Sequence, residues 1–424
     1  MTHRRRGTRH TGHTRRTHRA RQGAVVLAAT LIAAGAGCSA PEEDAHRAAP
    51  HGHRAAPHGH RAAPHGTGAP APSAAGGATD GQRGFTLVAS GDVLPHASII
   101  EQAKTDASGD GYDFAPMLSA VQPVISKADL AICHMETIYG AGGHYTGSPT
   151  FKSPPEVAKG LRDTGYDACS TASSHALDDG AAGIDRTLGA MDRAGISHTG
   201  SARTAAEGGS PAWLRAGGAK VAHLAYTYDT NGLPLPKGRP WAVNVIDRQR
   251  IVKDARAARK AGADVVVLSL HWGTEWQEEP DEDQLRLGDQ LTASRTDGRP
   301  DIDLILGTHA HVPQAYEKVN GTWVVYGLGD QIAGEMFNAD GAQDARGNEG
   351  TIGRFTFAPP ERPGGRWEVR KAEFIPQWFN LGSKRVINVN QSIHDGLGLT
   401  DVRDRISQAV LSRGAAKDGL TMGR

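Results

Sequence analysis

The chain has 424 residues, of which 38% are hydrophobic and 22% are charged, so it is long enough for one large core or two domains. Its formal net charge of +1 hides an uneven distribution. Residues 1–37 hold eight arginines and no acidic residue, and the remaining 39 basic residues face 46 acidic ones, a balance near −7. This distribution implies no single basic surface, and nucleic acid is not an expected partner.

The N-terminal segment 1–37 has the pattern of a signal peptide. An arginine-rich stretch precedes thirteen apolar residues, Ala24–Ala36, which are too few to span a bilayer comfortably. Small residues then lead to Cys38, as at a bacterial lipoprotein cleavage site. We therefore expect export, lipidation at Cys38 and a lipoprotein of the cell membrane that faces outside. The alternative, a buried N-terminal helix, is disfavoured by the arginines.

Residues 38–84 read as a disordered lipoprotein tether. Three identical HRAAPHG heptads occupy residues 46–66, and the flanking residues are rich in Pro, Gly, Ala and Ser. Such a composition cannot bury a core. The six histidines of the repeats are interpreted as part of a solvated linker.

From Phe85 onward, apolar strand patterns alternate with helical ones, which predicts an α/β domain over residues 85–335. Two hairpins, the second with Asn320-Gly321 at its turn, predict mixed sheets. Residues 336–424 are interpreted as a C-terminal extension that packs on this domain, with strands in 351–360 and 366–379. The predicted helices cover Phe114–Lys127, Pro155–Thr164, Ala181–Ala194, Asp247–Ala261, Asp281–Ser294 and Asp401–Ser412.

Acidic and histidine residues recur where the apolar strands end. They are Asp92, Glu136, His175, His271, His309 and His311. Because ligands of open α/β sheets bind at the carboxyl ends of the strands, this recurrence predicts one shared site. Carboxylate and imidazole groups together indicate a metal-dependent hydrolase-type centre. His134 lies two residues before Glu136, so strand alternation points both side chains the same way.

Simpler interpretations exist for single members of this set. Asp92 could belong to an ordinary Gly-Asp turn, and His271 could be an aromatic ring packed beside Trp272. The segment around His175 could serve only to cap the following helix, through Asp178 for example. Cys133 and Cys169 lie on strands just before site residues; they are either a disulfide between neighbouring strands or, as we favour, two buried thiols.

The ordered motifs GDV, HMET, SSHALDDG, HWGTEW, GTHAHVPQ and YGLGD resemble the bacterial capsule-synthesis protein CapA family, which is linked to poly-γ-glutamate capsules and related to calcineurin-like metallophosphatases. The resemblance covers about residues 85–333. It implies a metallophosphatase-like four-layer α/β/β/α sandwich and a binuclear metal centre. In that centre Asp92 and His311 would bind one metal, and His271 and His309 the other. Glu136 would bridge them, and His175 would donate a proton.

The sequence departs from the family pattern at several ligand positions. The family usually has NLE where this chain has His134-Met135-Glu136, NNH where it has Ser173-Ser174-His175, and GN where it has Gly329-Asp330; Leu94 also stands where a histidine is expected. Three possibilities follow: an altered or mononuclear metal site in which His134 is a replacement ligand, an intact dinuclear site, and a metal-free pocket. The expected cofactor is one or two divalent ions of Mn, Fe or Zn.

The leading functional hypothesis is a membrane-tethered protein in the biosynthesis or processing of a capsule polymer such as poly-γ-glutamate. The expected partners are an anionic extracellular polymer or a phosphorylated surface substrate, the membrane through the lipid anchor, and other capsule-synthesis subunits. One alternative is a phosphoesterase that acts on a surface or lipid phosphate. The other is a non-catalytic binding or scaffold subunit of a polymer export complex.

Overall fold

The computed structural model of the protein describes residues 83–362 and 365–424. The predicted signal peptide, the lipidation site Cys38 and nearly all of the predicted tether lie outside these residues. Within them, no helix combines the length and the hydropathy needed to cross a membrane.

The strands and helices are numbered in chain order. The strands are β1 (Phe85–Val93), β2 (Leu130–Met135), β3 (Ile138–Tyr139), β4 (Lys152–Ser153), β5 (Ala168–Ser170), β6 (Ser197–Thr199), β7 (Ala212–Ala216), β8 (Ala219–Thr227), β9 (Val265–His271), β10 (Arg295–Thr296), β11 (Arg299–Pro300), β12 (Leu304–Thr308), β13 (Tyr316–Val319), β14 (Thr322–Val325), β15 (Asp330–Ile332), β16 (Glu349–Ala358), β17 (Glu368–Asn380), β18 (Arg385–Asn388) and β19 (Leu420–Met422). The helices are α1 (Ala97–Asp106), α2 (Gln122–Ile125), α3 (Glu156–Thr164), α4 (Gly180–Ala194), α5 (Ala205–Gly208), α6 (Arg248–Lys260), α7 (Glu282–Thr292), α8 (Val389–His394) and α9 (Thr400–Leu411).

Two mixed sheets form the centre of the fold. The first has the order β18-β17-β16-β1-β2-β5-β6, with β15 beside β1 and β19 beside β17. In it β1, β2, β5 and β6 run parallel, whereas β16 is antiparallel to β1. The second sheet has the order β13-β14-β12-β9-β8-β7, with four parallel central strands and an antiparallel strand at each edge. The predicted mixed sheets are confirmed.

The two sheets pack face to face, and helices cover their outer faces. Leu87 and Ile132 of the first sheet share one core with Val221, Val267 and Leu306 of the second. Alternate residues of the first sheet pack outward against α1, α3 and α4, and those of the second sheet pack against α6 and α7. Two packed sheets with helices on both outer faces make four layers, so the predicted α/β/β/α sandwich is confirmed. Each fully buried side chain of this size contributes about 1.5–3 kcal/mol to the stability of these layers.

Local sequence signals explain most of the elements. The turn between β13 and β14 is formed by Asn320 and Gly321, both at positive φ (51° and 83°), as the Asn-Gly pair predicted. Helix α7 begins with a capping box between Asp281 and Gln284.

The predicted helix Phe114–Lys127 is wrong. That segment is a 3-10 turn at Ala115–Leu118 followed by the single turn of α2, and each begins with a proline, Pro116 or Pro123. Proline lacks an amide donor and its ring clashes with the preceding turn, so a continuous helix cannot pass through Pro123.

The segment 336–424 contributes strands to the first sheet. Strand β16 pairs with β1 from Phe85 to Ser90, and β17 pairs with β16 along nearly its whole length. The predicted boundary at residue 335 stays a prediction.

Cys133 of β2 and Cys169 of β5 lie directly opposite each other in the parallel pair and are joined by a disulfide. The favoured interpretation as two buried thiols is therefore wrong, because the register of the two strands places both sulfurs on the same face.

Candidate metal centre

The carboxyl ends of strands from both sheets meet at one edge of the sandwich. Asp92 is near the end of β1, His134 lies in β2 and Glu136 directly follows it. His271 is the last residue of β9, and His309 and His311 follow β12. All six side chains are buried. Strand register explains the meeting within the first sheet, because Asp92 pairs with His134 on one side and with Asp330 of β15 on the other.

A close approach of backbones makes this register possible. A Cβ atom on Gly91 would lie 1.7 Å from the carbonyl oxygen of Gly329, and the amide of Asp92 donates to that same oxygen at 3.1 Å. Only glycine fits at position 91, and its absence of a side chain lets β1 and β15 bring their two aspartates together.

Asp92, His134 and His271 form a first group whose candidate ligand atoms all lie within 4.8 Å of one another. Asp92 Oδ1 is 3.5 Å from His134 Nε2 and 3.9 Å from His271 Nδ1. The two imidazole rings stack at 4.8 Å. His134 Nδ1 hydrogen-bonds the hydroxyl of Ser170 at 2.7 Å, so its Nε2 is the atom that faces Asp92.

A second group with the same spacing consists of Asp92, Glu136 and His311. Asp92 is therefore the member common to both groups. Glu136, to which the family resemblance assigns the bridge, also approaches the first group, since its Oε1 is 3.8 Å from His271 Nε2. Both carboxylates thus lie between the two sets of imidazoles.

Asp330 hydrogen-bonds a member of the second group without belonging to the group itself. His311 Nδ1 donates to Asp330 Oδ1 at 3.0 Å, which leaves the opposite ring nitrogen free to serve as a ligand. Burial alone lowers the pKa of His311, but the carboxylates of Asp330, Glu136 and Asp92 outweigh it and raise that pKa well above its usual value.

His309 borders both groups without belonging to either. Its ring is 4.6 Å from the ring of His271, and its backbone amide donates to Asp92 Oδ2 at 3.1 Å. His309 and His311 both have positive φ, 93° and 59°. Such a backbone is costly for residues other than glycine, and here it aims two imidazoles at one place.

Several polar atoms of this edge are buried without a hydrogen-bond partner. They are Asp92 Oδ1, both carboxylate oxygens of Glu136, His134 Nε2, His309 Nδ1 and Asp330 Oδ2. Native proteins rarely leave buried polar atoms unpaired, because each costs roughly 1–3 kcal/mol. Their convergence indicates a group that the protein binds here.

The electrostatics of the edge fit a divalent cation. Burial, together with the charge of Asp330, raises the pKa of Asp92 to about 8, and burial and Asp92 raise that of Glu136 well above its usual value. Burial lowers the pKa of His134 and of His309 to about 3, and that of His271 well below the usual value. Neutral imidazoles beside carboxylates that repel each other form a donor set that suits a divalent cation.

His175 lies beside the centre and belongs to neither group. Its Nδ1 donates to Asp178 Oδ2 at 2.8 Å, and the same oxygen accepts the amide of Phe151 at 2.6 Å. The His175 ring packs edge-on against Phe151 at 4.8 Å, and 16% of its side chain is exposed. The helix-capping alternative for this segment is wrong, since α4 begins after Asp179 and has no side-chain cap.

Ser174 occupies the position where the family pattern has a ligand asparagine. Its hydroxyl is buried and lies 3.4 Å from His271 Nε2. The neighbouring Ser173 donates to the backbone carbonyl of Glu136 at 2.5 Å, which ties this loop to the end of β2.

Two residues of the site were not singled out from the sequence. Asp330 reaches it through the short strand β15, and Tyr228 follows β8 and lies with its ring 4.5 Å from that of His309. Tyr228 also follows a strand end, but the pattern found in the sequence concerned only acidic residues and histidines. Asp330 stood in the YGLGD motif as a departure from the family pattern.

Comparison with known proteins gives a family and several relatives. The family model described as bacterial capsule synthesis protein PGA_cap matches residues 86–335, more than half of the chain. The PGA biosynthesis protein CapA of Bacillus subtilis is 29% identical over 179 residues, 42% of this chain and 45% of that protein. The capsule biosynthesis protein CapA of Bacillus anthracis is 27% identical over 42% of each chain. A probable polyglutamine synthesis accessory protein of Mycobacterium tuberculosis is 23% identical over 49% of this chain and 56% of its own.

The matched part of the chain thus spans about half the length of these relatives. Among solved structures, a putative 5′-nucleotidase from Staphylococcus aureus matches with a TM-score of 0.43 and 14% identity, over 69% of this chain and 54% of its own. The calcineurin-like phosphoesterase YfkN from Bacillus subtilis matches with a TM-score of 0.38 and 13% identity, over 77% of this chain and 98% of its own.

Proposed function

Because this chain belongs to the bacterial capsule synthesis protein family, we propose that it takes part in the biosynthesis or processing of a capsule polymer such as poly-γ-glutamate through a metal-dependent hydrolytic site. The proposal includes export and attachment to the outer side of the cell membrane through Cys38. The names of the Bacillus relatives support the choice of polymer.

The observation that carries the hydrolytic proposal is the convergence of unpaired buried atoms. Asp92 Oδ1, His134 Nε2 and the Glu136 oxygens all belong to residues of the two ligand groups, in each of which the candidate ligand atoms lie within 4.8 Å of one another. A structural core would have paired or excluded these atoms, since buried carboxylates without partners destabilise a fold.

The ligands of the proposed centre are the members of the two groups. Asp92, His134 and His271 would hold one divalent ion, and Asp92, Glu136 and His311 would hold a second. When bound, such ions lower the pKa of a water molecule and polarise the bond to be cleaved.

The protein's own contribution to proton transfer is His175. The Asp178 carboxylate accepts a hydrogen bond from Nδ1 of His175, which fixes the ring orientation and leaves Nε2 to give a proton to the leaving group. Phe151 supports the ring on one side. At the other side of the centre, the Tyr228 ring covers His309 and shields it from solvent.

One observation favours a non-catalytic alternative. Ser174 offers a hydroxyl where the family pattern has an amide, and a neutral hydroxyl is a weaker ligand for a divalent ion. A binding or scaffold subunit of a polymer export complex would retain the buried pocket without turnover.

Elemental analysis of the purified protein separates these proposals. We expect one to two Mn, Fe or Zn ions per chain, and loss of at least one in His271→Ala and in His134→Ala. His394→Ala is the matched control, because His394 is exposed on α8, and it should leave the metal content unchanged. Equal metal content in the wild type and the three variants would refute the assignment, because the metal would then be bound elsewhere, for example by the histidine repeats.

Turnover is measured separately, as new amino groups released from poly-γ-glutamate. His175→Ala should abolish their release while the metal content stays at the wild-type level. A protein that binds metal in the two ligand groups but releases no amino groups would favour the scaffold alternative.

A further inference from the structure

A groove between α6 and α7 carries positive charge that its own lining does not neutralise. Four basic side chains line it, Arg248, Lys253, Arg256 and Arg295, and none of the described residues that line it is acidic. Its volume is about 760 Å³. This local charge contrasts with the net negative charge of the chain beyond residue 37.

Two of these cations are free to bind a ligand. Arg256 pairs with Asp301 at 3.0 Å, and Arg295 donates to backbone carbonyls. Within the described part of the chain, Arg248 and Lys253 have neither an ion-pair nor a hydrogen-bond partner, and both are exposed on α6.

Another basic cavity differs in having an acidic residue in its lining. It lies near Thr86, at the opposite end of β1 from Asp92, and is lined by Lys127, Arg354, Lys371 and Arg424. Glu373 also lines it and pairs with Arg354 at 2.8 Å and with Lys371 at 3.0 Å, so part of the charge there is compensated.

The α6–α7 groove adjoins a second groove that leads toward the candidate metal centre. A second groove of about 530 Å³ shares Arg248 and Gln290 with it and extends to Tyr228. The Tyr228 ring in turn lies 4.5 Å from the His309 ring. An extended ligand with several charged groups could contact the cations of the α6–α7 groove and the metal centre at the same time.

The acidic residues of the second groove are already engaged. Asp281 caps α7 and accepts the hydroxyl of Thr274, and Asp283 pairs with Arg286. The remaining lining includes Gln284 and Gln290. The carboxylates of the second groove therefore already have partners within the protein.

We propose that the α6–α7 groove is a distal binding subsite for a polycarboxylate chain whose reacting end lies at the metal centre. Arg248 and Lys253 bind carboxylates remote from the bond that reacts. The subsite rests on the proposed function for the identity of the polymer, whereas its location rests on the charge of the groove and on the lining residues that the two grooves share.

The test measures binding of fluorescent γ-linked glutamate oligomers, one short and one long, by anisotropy. The full chain is used with His175→Ala, so that bound oligomer is not cleaved. Into this background we introduce Arg248→Ala with Lys253→Ala, or Lys104→Ala with Lys260→Ala as the control pair. All four residues are exposed, and the control residues lie on α1 and α6 outside the groove.

The groove pair should weaken binding of the long oligomer by about 3- to 10-fold and leave the short one unchanged, because surface ion pairs contribute about 0.2–1 kcal/mol each. The difference should shrink at high salt. Equal weakening by both pairs, or none by the groove pair, would overturn the subsite. Tighter groove-dependent binding of polyphosphate than of polyglutamate would overturn the carboxylate assignment.

Metal content, determined on the same samples, keeps the two proposals separate. Groove-dependent binding by a protein that holds no metal would refute the hydrolytic proposal and support the subsite. Metal in the two ligand groups without groove-dependent binding would support the hydrolytic proposal and refute the subsite.

Discussion

The metal-free protein should lose stability as the pH rises from 6.5 to 8. In this range the folded protein holds protons that the unfolded chain has released. The pKa of Asp92 is raised from 3.8 to about 8, and those of Glu136 and His311 are also raised well above their usual values. Groups with raised folded pKa values stabilise the fold below the unfolded pKa, and that stability declines as the pH approaches the folded value.

The magnitude follows from proton counting. One extra proton in the folded state changes the free energy of unfolding by about 1.4 kcal/mol per pH unit, so Asp92 alone gives a loss of about 2 kcal/mol between pH 6.5 and pH 8. The buried histidines His134, His271 and His309 have lowered pKa values, and because an unfolded histidine is about half protonated at pH 6.5, each offsets the loss by about 0.4 kcal/mol by pH 8. Glu136 and His311, whose pKa values are raised, add to the loss, so the net trend keeps its sign.

The assay is urea denaturation followed by circular dichroism across this pH range, in the presence of a chelator. Asp92→Asn should reduce the slope by about one proton. Saturation with the bound metal should remove most of it, because metal binding favours the ionised carboxylates. A chelated wild-type protein whose stability stays constant or rises from pH 6.5 to pH 8 would refute this account of the site.

Three further perturbations have defined outcomes. Gly91→Ala should destabilise the fold by about 3 kcal/mol or more, measured by thermal denaturation, because its Cβ would overlap the Gly329 carbonyl. Replacing Cys133 and Cys169 by alanine should lower the free energy of unfolding by ~4 kcal/mol, because the disulfide closes a loop of 36 residues. Asp178→Asn should reduce polymer hydrolysis by roughly 10- to 100-fold at unchanged metal content, since a neutral amide no longer stabilises the positively charged imidazole that donates the proton.

Each of these has a control. Gly189→Ala in α4 meets only the flexible end of Arg193 at 3.5 Å and should be neutral or slightly stabilising. Treatment of the wild type with a reductant should reproduce the cysteine double variant, and a stability unaffected by both would contradict the loop argument. An Asp178→Asn protein with normal turnover would remove Asp178 from the mechanism.

The strand-end rule located most of the site because it depends on topology alone. Parallel strands of one sheet present their carboxyl ends at the same edge, so Asp92 and Glu136 converge at the edge of the first sheet. The face-to-face packing of the two sheets then brings His271, at the end of β9 in the second sheet, to the same place. The loop residues His309 and His311 could be predicted in the same way, since they follow β12 directly.

The remaining features depend on tertiary register, which periodicity does not encode. Asp330 enters the site through β15, a strand of three residues that is too short to show alternation. The cysteine pairing depends on the β2–β5 register, which the sequence does not show. The break at Pro123 could have been predicted, because proline interrupts a helix, but the apolar periodicity of the segment favoured a continuous one. The departures from the family motif were visible in the sequence, but only the structure shows His134 Nε2 facing Asp92.

The pairing of β16 with β1 has a consequence for how the polypeptide matures. Strand β1 is the first described strand of the chain, yet one of its edges is covered by residues 349–358, which are synthesised more than 250 residues later. A fragment that ends at residue 335 contains the whole segment matched by the family model but exposes that edge of β1. Such an open, apolar strand edge promotes intermolecular pairing. Nascent chains therefore remain prone to aggregation until residues 349–358 have emerged, and truncation at the family boundary should yield insoluble protein.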